Sequence, residues 1–469
     1  MRDLRKAVVA LAAAMLVSGC GILEPRLPEA NPAIPAEWPI PATTTAPAPG
    51  SATSTADIGW RDFFADAKLE EVIAQALANN RDLRVAMLNV EKARAQYRVQ
   101  RADRVPSLEG SGAMARSGGD NRAVTEVYTA DLGVTEFELD LFGRVRNLSD
   151  AALQRYFAVE ENRRSAQLTL IAEVAGAYLT LAANQEQLRV ARSTLQTREE
   201  SHALTVKRYE LGAVSALELN QSLTLVESAR AETARFAGQV AQDTNALNLL
   251  VGATVAPGLL PTAFDEPVTG LASLPAGLPS EVLLRRPDVL AAEHELRAAN
   301  ANIGAARAAF FPSITLTGAV GYASDELSGL FDAGTSTWAF VPKVNVPIFE
   351  GGQLRANLGV ATADRDIALA QYERAIQAAF REVADALALT TTLAEQRAAR
   401  EATVAAAAEA DRLSSARYEA GRDSYLLRLE SQRTLYLAQQ TLVATRLAEQ
   451  VNRVTLYKVL GGGWQEQGP

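Results

Sequence analysis

Two turns of nearly the same sequence, 209 positions apart, constrain this chain more than any other feature. The first reads Arg-Tyr-Glu-Leu-Gly and ends at Gly212, and the second reads Arg-Tyr-Glu-Ala-Gly and ends at Gly421. Each glycine interrupts a long helical pattern at a position suited to a left-handed reversal of the chain. The sequence therefore predicts two copies of one helical hairpin.

Other landmarks recur in the same order, at an offset that stays between 206 and 209. A chain of 469 residues would ordinarily hold two or three domains, but a duplication favours one body built from two repeats. The paired landmarks are Arg81 with Pro287, Pro106 with Pro312, Phe142 with Phe349, Gly212 with Gly421, and Leu250 with Val459.

Charge argues against one class of partner. The formal net charge is -9 and the sequence pI is about 5.2, with no block of lysine and arginine. A nucleic-acid-binding protein needs a basic surface to meet the phosphates. We therefore expect no nucleic-acid partner.

The N-terminus has the pattern of a secretory signal. Residues 1–19 combine three basic residues with an apolar run, and small residues precede Cys20. Cys20 is the only cysteine, which excludes an intrachain disulfide and any cysteine-based metal or catalytic site. The alternative is a cysteine within an ordinary apolar signal. Residues 20–65 are rich in proline, threonine and alanine, so we expect an extended tether.

Each repeat has the same predicted order of elements: helix, β-hairpin, long helix, turn and helix. The repeats span residues 66–256 and 280–461, joined by a crossover over 257–279 and followed by a tail over 462–469. The hairpins fall at 107–140 and 313–346, and the helical turns at 209–216 and 418–425. One helix is predicted over 66–104, and the helix from 144 to 211 would be about 100 Å long.

The strands alternate between apolar and small polar residues, as in Ile314, Leu316, Val320 and Tyr322. Alternation alone fits a membrane barrel strand and a soluble sandwich strand equally well. We find no apolar run after Cys20 near the length of a membrane-spanning helix, which favours the barrel. Four strands cannot close a barrel around water, so an open channel needs at least three chains.

The sequence resembles the TolC family of outer-membrane efflux proteins, and within that family it resembles the OprM/NodT type of lipoprotein. The resemblance covers essentially the whole mature chain, and it rests on several short motifs in family order. They are the lipobox-like residues 17–20, Trp60-Arg61-Asp62-Phe63-Phe64, Phe137 to Gly143, Leu278-Pro279-Ser280, Arg285 to Val289, Phe310-Phe311-Pro312-Ser313, Pro347 to Gly352 and Leu456 to Trp464.

The resemblance implies an α+β membrane protein with an internal two-fold repeat. Its homotrimer would form a twelve-stranded outer-membrane β-barrel, four strands per chain, continued by a twelve-helix periplasmic α-barrel. It implies lipidation at Cys20, anchorage in outer-membrane lipid, and a passive exit duct without cofactors or metal. The implied partners are a periplasmic adaptor and an inner-membrane transporter of the RND type.

The helix after Gly421 carries the predicted gate. Leu426, Glu430 and Arg433 fall at i, i+4 and i+7, so they share one face. The resemblance implies that these side chains line the constriction at the periplasmic end of the tube. A solvated surface pair is the alternative. The first copy has Leu217, Gln221 and Thr224 at these positions, which predicts that only the second hairpin moves.

Residues at the two turns form the remaining predicted sites. The resemblance implies adaptor contact at Gly212, Ser215, Gly421, Asp423 and Ser424. Either serine is expected to cap the following helix, and Asp423 could instead be a first-turn acid favoured by the helix dipole. Ordinary packing is the alternative to a locking role for the residues that precede the turns, which are Arg208, Tyr209, Arg417 and Tyr418.

An enzyme is not expected. The two histidines, His202 and His294, lack a partner histidine four residues on, and we read both as surface residues of helices. The sequence has no phosphate-binding glycine-lysine loop and no nucleophile elbow. Two alternatives stay open: a periplasmic coiled-coil lipoprotein without a pore, and the same fold serving protein secretion or metal export.

Overall fold

The structure is a computed structural model that describes residues 23–35, 38, 58–120, 122–262, 264 and 280–462. The predicted signal over 1–19 and the lipidation site Cys20 lie outside the described residues. So do most of the tether over 20–65, most of the crossover over 257–279, and the tail after Gly462.

The described elements follow one another in two similar rounds. The first round contains α1 Trp60–Phe63, α2 Ala67–Asn79, α3 Arg81–Ala102, β1 Glu109–Gly119, β2 Arg122–Leu139, α4 Arg144–Glu210 and α5 Ala216–Val251. The second contains α6 Pro287–Ala308, β3 Ser313–Ser324, β4 Ser336–Asn345, α7 Gln353–Glu419 and α8 Tyr425–Val459. Short 3-10 turns lie at Pro257–Leu259, Ser280–Arg285 and Leu327–Gly329.

The single helix that we predicted over 66–104 is two helices, divided at Asn80. The backbone of Asn80 has ψ 131°, which ends α2. Its side-chain amide donates to the carbonyl of Leu250 at 2.7 Å, and its Oδ1 accepts from the Leu83 N–H at 2.8 Å. An asparagine that caps the next helix explains a break that the apolar spacing did not reveal.

The four strands form one antiparallel sheet in the order β1-β2-β3-β4. One row across three strands places Leu132 opposite Val320 and Val320 opposite Trp338, all on the apolar face. The opposite face carries small and polar residues. A Cβ at Gly133 or Gly321 would lie within 2.5 Å of backbone atoms on the neighbouring strand, so only glycine fits there. The pairing of β2 with β3 was not part of the prediction, which identified only the two hairpins.

The chain divides into two compact units. The first contains residues 1–32, 88–162 and 290–375, and therefore the sheet. In this unit Ala151 of α4 packs with Ala298 and Ala301 of α6. The side chain of Asn147 lies so close to Gly304 that a Cβ there would be 2.6 Å from the amide nitrogen. Small residues thus permit a close approach of α4 and α6.

The second unit contains residues 33–87, 163–289 and 376–469, and its described part holds the largest apolar core. Phe63 stacks on Tyr457 with ring centroids 3.9 Å apart. Tyr457 donates from its hydroxyl to the carbonyl of Ile58 at 2.6 Å. The N-terminal and C-terminal parts of the chain are therefore joined in one core.

One helix, α4, contains a segment that is long and apolar enough to cross a membrane by length and composition. Our sequence analysis did not recognise this segment. More than half of it is buried inside the protein, and Ile171, Val174 and Leu179 belong to the core of the second unit. Its hydrophobicity is explained by packing within the protein.

Candidate functional site

The two helical turns have nearly the same backbone. Gly212 and Gly421 both have φ of 70°. The N–H of Gly212 donates to the carbonyl of Tyr209 at 2.9 Å, and that of Gly421 donates to Tyr418 at 3.0 Å. Left-handed φ is easily reached by glycine, which is why each turn needs one.

The two serines after the turns behave differently. Ser215 accepts the Glu218 N–H at 3.2 Å and so caps α5 as expected. Ser424 occupies the same position before α8, but its side chain makes no capping hydrogen bond. The expectation that Ser424 caps its helix was wrong.

The second turn is held by a bidentate ion pair. Arg417 donates from Nε to Oδ2 of Asp423 at 2.6 Å and from Nη2 to Oδ1 at 2.9 Å. Val214 occupies the position of Asp423 in the first turn, so the first copy lacks this pair. Within the described chain Arg417 therefore stabilises its own turn. Asp423 precedes the N-cap Ser424, so the expectation that it is a first-turn acid was wrong, and it is the ion-pair partner of Arg417 instead.

Asp423 should titrate below its ordinary pKa. The hydrogen bonds from Arg417 lower the pKa of this carboxyl from the ordinary value of 3.8. A depressed folded-state pKa means that the pair stabilises the turn above 3.8 and loses that effect as the pH falls through the folded-state value. Carbon-13 chemical shifts of Asp423 should show this, and Arg417→Gln should return the pKa to 3.8 or above. A wild-type value of 3.8 or higher would contradict the pair.

Tyr418 connects the two hairpins. Its hydroxyl donates to Glu218 of the first hairpin and accepts from Nη1 of Arg208 at 3.3 Å. The guanidinium groups of Arg208 and Arg428 lie 5.5 and 5.3 Å from the tyrosine ring centroid. Burial, followed by the hydrogen bond to Glu218, raises the pKa of Tyr418. Two of the four residues that we grouped as locking residues, Arg208 and Tyr418, therefore contact each other and join the hairpins within one chain.

Within the described chain Tyr209 does not make the contact that we predicted for it, and Glu218 makes a contact that we did not predict. Tyr209, which we grouped with the locking residues, is exposed. Glu218 joins the two hairpins through Tyr418, yet we did not predict it. Its position three residues after the cap Ser215 is that of a capping-box glutamate, a signal that would have drawn attention to it.

Replacing Tyr418 with phenylalanine should loosen the contact between the hairpins while keeping the ring. The variant loses both hydroxyl hydrogen bonds, at a cost of about 1.5–3 kcal/mol because both partners, Glu218 and Arg208, are charged. Proteolysis at the turns should become faster. Tyr209→Phe, at an exposed tyrosine, is the matched control and should leave the cleavage rate unchanged. Equal rates in the two variants would contradict a connecting role for Tyr418.

The predicted gate residues share one exposed face of α8. Nη2 of Arg433 donates to Oε1 of Glu430 at 2.8 Å, and both side chains are more than half exposed. Leu426 is 65% exposed at the start of the same helix. In the first hairpin Gln221 and Thr224 replace the ion pair, and the Thr224 hydroxyl donates to the Asn220 carbonyl at 2.8 Å. Only the second hairpin therefore presents this charged pair.

Neither histidine is a plain surface residue. Nδ1 of His294 lies 2.7 Å from Oε1 of Gln154, and Nδ1 of His202 lies 2.6 Å from the Ser222 hydroxyl. Both hydrogen bonds connect neighbouring helices, so our reading of the histidines was wrong. Among the described residues no group of three or more histidine, cysteine, aspartate and glutamate side chains could hold a metal ion.

The described chain combines a four-stranded antiparallel sheet that has one apolar face with two helices of 67 residues each, which is the set of elements expected of an outer-membrane channel subunit. The model of the family described as "Outer membrane efflux protein" matches residues 72–253 and 278–462. The chain belongs to this family. The predicted fold class and outer-membrane location are confirmed.

The chain is similar in sequence to known efflux proteins over most of its length. The chain is 45% identical over 471 residues to the probable efflux pump outer membrane protein TtgC of Pseudomonas putida, covering 98% of this chain and 96% of the relative. It is 47% identical over 424 residues to outer membrane protein OprJ of Pseudomonas aeruginosa, covering 89% and 88%. Efflux channels, rather than enzymes, characterise the family.

Two solved structures resemble the fold of this chain over most of its length. The open state of the MtrE outer membrane channel of Neisseria gonorrhoeae has a TM-score of 0.86 and 39% identity, covering 94% of this chain and 98% of that one. A membrane protein of Pseudomonas aeruginosa has a TM-score of 0.87 and 43% identity, covering 94% and 100%.

Proposed function

We propose that this protein is the passive exit duct of a tripartite efflux pump, carrying small molecules across the outer membrane. Family membership over both repeats is the observation that supports this most strongly. The open sheet agrees, because β1 and β4 are edge strands in the described chain and an edge cannot face lipid unpaired. Three copies supply twelve strands, enough for a water-filled lumen.

The gate lies on the second hairpin. In a trimer Leu426, Glu430 and Arg433 form stacked rings at the periplasmic end of the tube. The exposed carboxylate of Glu430 and guanidinium of Arg433 can then exchange partners between neighbouring copies, which holds the aperture closed. The first hairpin has no charged pair at these positions and acts as the fixed part.

The turns dock the adaptor. Gly212, Ser215, Gly421 and Ser424 lie at the ends of the hairpins, where a periplasmic partner arrives. Asp423 supports the shape of the second turn through Arg417. The energy for transport comes from an inner-membrane transporter of the RND type, since the duct itself has no enzymatic activity and needs no cofactor.

Lipidation of Cys20 anchors each chain in the outer membrane. The small residues before Cys20 support this assignment, and Gly21 favours sorting to the outer membrane. Mass spectrometry of the mature N-terminal peptide should show an acylated Cys20.

A reconstituted pump tests the proposed function. Cells that contain an RND transporter and adaptor matched to this protein, but no outer-membrane duct, should accumulate a fluorescent substrate dye. Expression of the chain should lower that accumulation to the level of the complete pump. Expression without the transporter is the control and should have no effect. Unchanged accumulation in the complete system would contradict the duct.

A further inference from the structure

A hydrogen bond at equivalent positions joins the two helices of each helical hairpin. In the first hairpin Nδ1 of His202 on α4 lies 2.6 Å from the Ser222 hydroxyl of α5. In the second hairpin Oδ1 of Asp411 on α7 lies 3.3 Å from the Ser431 hydroxyl of α8. Asp411 follows His202, and Ser431 follows Ser222, by the same 209 positions that separate the two turns. The two contacts are therefore copies of one interhelical contact, built with different titratable groups.

In both copies the serine also donates to a carbonyl three residues earlier on its own helix. Ser222 donates to Leu219 at 2.7 Å, and Ser431 donates to Arg428 at 2.9 Å. A hydroxyl has a single proton, so a serine that gives it to the backbone can only accept from the long helix. The long helix must then supply the donor.

The first hairpin meets this requirement in every charge state of its histidine. Because the Ser222 proton goes to Leu219, the bond from His202 has to use a proton on Nδ1. An imidazole that is protonated at Nδ1 remains a donor there whether or not Nε2 also carries a proton. The hydrogen bond between α4 and α5 therefore does not depend on the charge of His202.

The second hairpin meets the requirement only when Asp411 is protonated. An ionised carboxylate is purely an acceptor, so it competes with the Arg428 carbonyl for the single Ser431 proton. The carbonyl is the nearer acceptor, at 2.9 Å against 3.3 Å for Asp411. A protonated Asp411 donates to Ser431 instead, and all three groups are then paired as in the first hairpin.

The surroundings of Asp411 favour its protonated form. Burial raises the pKa of this carboxyl above the ordinary 3.8, although the hydrogen bond from Ser431 and the charge of Arg428 on α8 lower it. On α7 itself the neighbouring charges Glu409 and Arg412 are exposed and pair with each other at 2.7 Å. Asp411 therefore takes up a proton at a higher pH in this hairpin than it would in water.

A cavity of about 150 Å³ between α4, α7 and α8 gives protons access to Asp411. Asp411 lies in its wall together with Arg198 of α4 and Tyr436 of α8. The guanidinium of Arg198 donates to the Leu225 carbonyl of α5 at 3.1 Å. A polar cavity of this size can hold several water molecules, at about 30 Å³ each. Asp411 can therefore gain or lose its proton while the hairpin stays folded.

We propose that Asp411 is a proton-dependent positioning residue of the second hairpin, which joins α8 to α7 when it is protonated and releases that hydrogen bond when it is ionised. Its effect on the aperture rests on the gate stated under the proposed function, because Ser431 lies between Glu430 and Arg433 on α8. The raised pKa sets the direction. The stabilisation is fully present below pH 3.8 and is lost as the pH rises through the folded-state value.

Hydrogen–deuterium exchange of the purified trimer tests this contact. The measured quantity is the exchange rate of amides 425–435 divided by that of the equivalent amides 216–226 in the same sample, which removes the intrinsic effect of pH. In the wild type this ratio should fall about two- to tenfold between about pH 7.5 and about pH 4, the effect of one net hydrogen bond. Asp411→Asn, whose amide donates at every pH, should have the low ratio throughout. Asp411→His, which copies the first hairpin, should do the same.

Glu409→Gln is the matched control, since it neutralises an exposed acid of the same helix. It should keep the pH dependence of the wild type. A wild-type ratio that does not change with pH overturns the role of Asp411, and so does an Asp411→Asn variant that matches wild type at about pH 7.5. Both results leave the duct standing, because efflux by the reconstituted pump tests it separately. A pH-dependent ratio in a chain that restores no efflux supports the role of Asp411 in the hairpin and overturns the duct.

Discussion

Glu430→Ala and Arg433→Ala should each increase the leak of small molecules through the outer membrane. Either change removes a charge that the proposed closed aperture uses to pair neighbouring copies, and it also breaks the pair within α8, in which the two groups are 2.8 Å apart. An exposed pair contributes at most about 1 kcal/mol, but a trimeric aperture contains three of them. Together they are worth about 3 kcal/mol, so the ratio of open to closed apertures should rise about one hundredfold.

Uptake of a large antibiotic that normally enters slowly, measured without a pump, would report this leak. Gln221→Ala in the first hairpin is the matched control, since it stands at the same offset in the other copy and carries no charge. It should leak no more than wild type. Equal leak in all three variants would contradict a gate confined to the second hairpin.

Arg286→Ala should cause the largest loss of stability. Arg286 is 8% exposed and donates to the carbonyl of Val459 at 2.9 Å. It also donates to Asp288 and Glu382, each at 2.8 Å. Its removal leaves a carbonyl and two carboxylates without this partner, which costs about 3 kcal/mol because both acids keep access to water.

Loss of helical circular dichroism on heating would report this change as a lower midpoint temperature. Arg381→Ala is the control. Arg381 lies on α7 beside Glu382, but its pair with Asp385 is 3.9 Å long and both side chains are more than 70% exposed. Such a pair contributes little, so the control should stay close to wild type. Similar midpoints for the two variants would contradict a structural role for Arg286.

The repeats, the hairpins and the turns could be predicted from the sequence because each of them depends on local signals. Apolar spacing and the absence of proline predicted α4 and α7, and glycine marked both turns. The break at Asn80 was missed because the prediction followed apolar spacing alone, whereas Asn80 caps α3 through the Leu83 N–H and also donates to Leu250, 170 residues away. A helix that continues and one that is capped and restarted have the same apolar spacing.

Part of the candidate site could be predicted from the sequence, because that part also depends on local spacing. Helical periodicity placed Leu426, Glu430 and Arg433 on one face, which the structure has. The pairing of Tyr418 with Glu218 joins positions 200 residues apart, and no periodicity reports such a contact. The ion pair of Arg417 with Asp423 spans six residues across a turn, where helix spacing rules do not apply.

Conductance of the purified trimer in a planar lipid bilayer tests the central claim most directly. Wild type should insert as a channel that is mostly closed, and Glu430→Ala should open more often, with the same maximum conductance because the barrel is unchanged. Gln221→Ala should behave as wild type. A trimer that conducts no ions in either the wild type or Glu430→Ala would contradict the account and favour a structural lipoprotein without a pore.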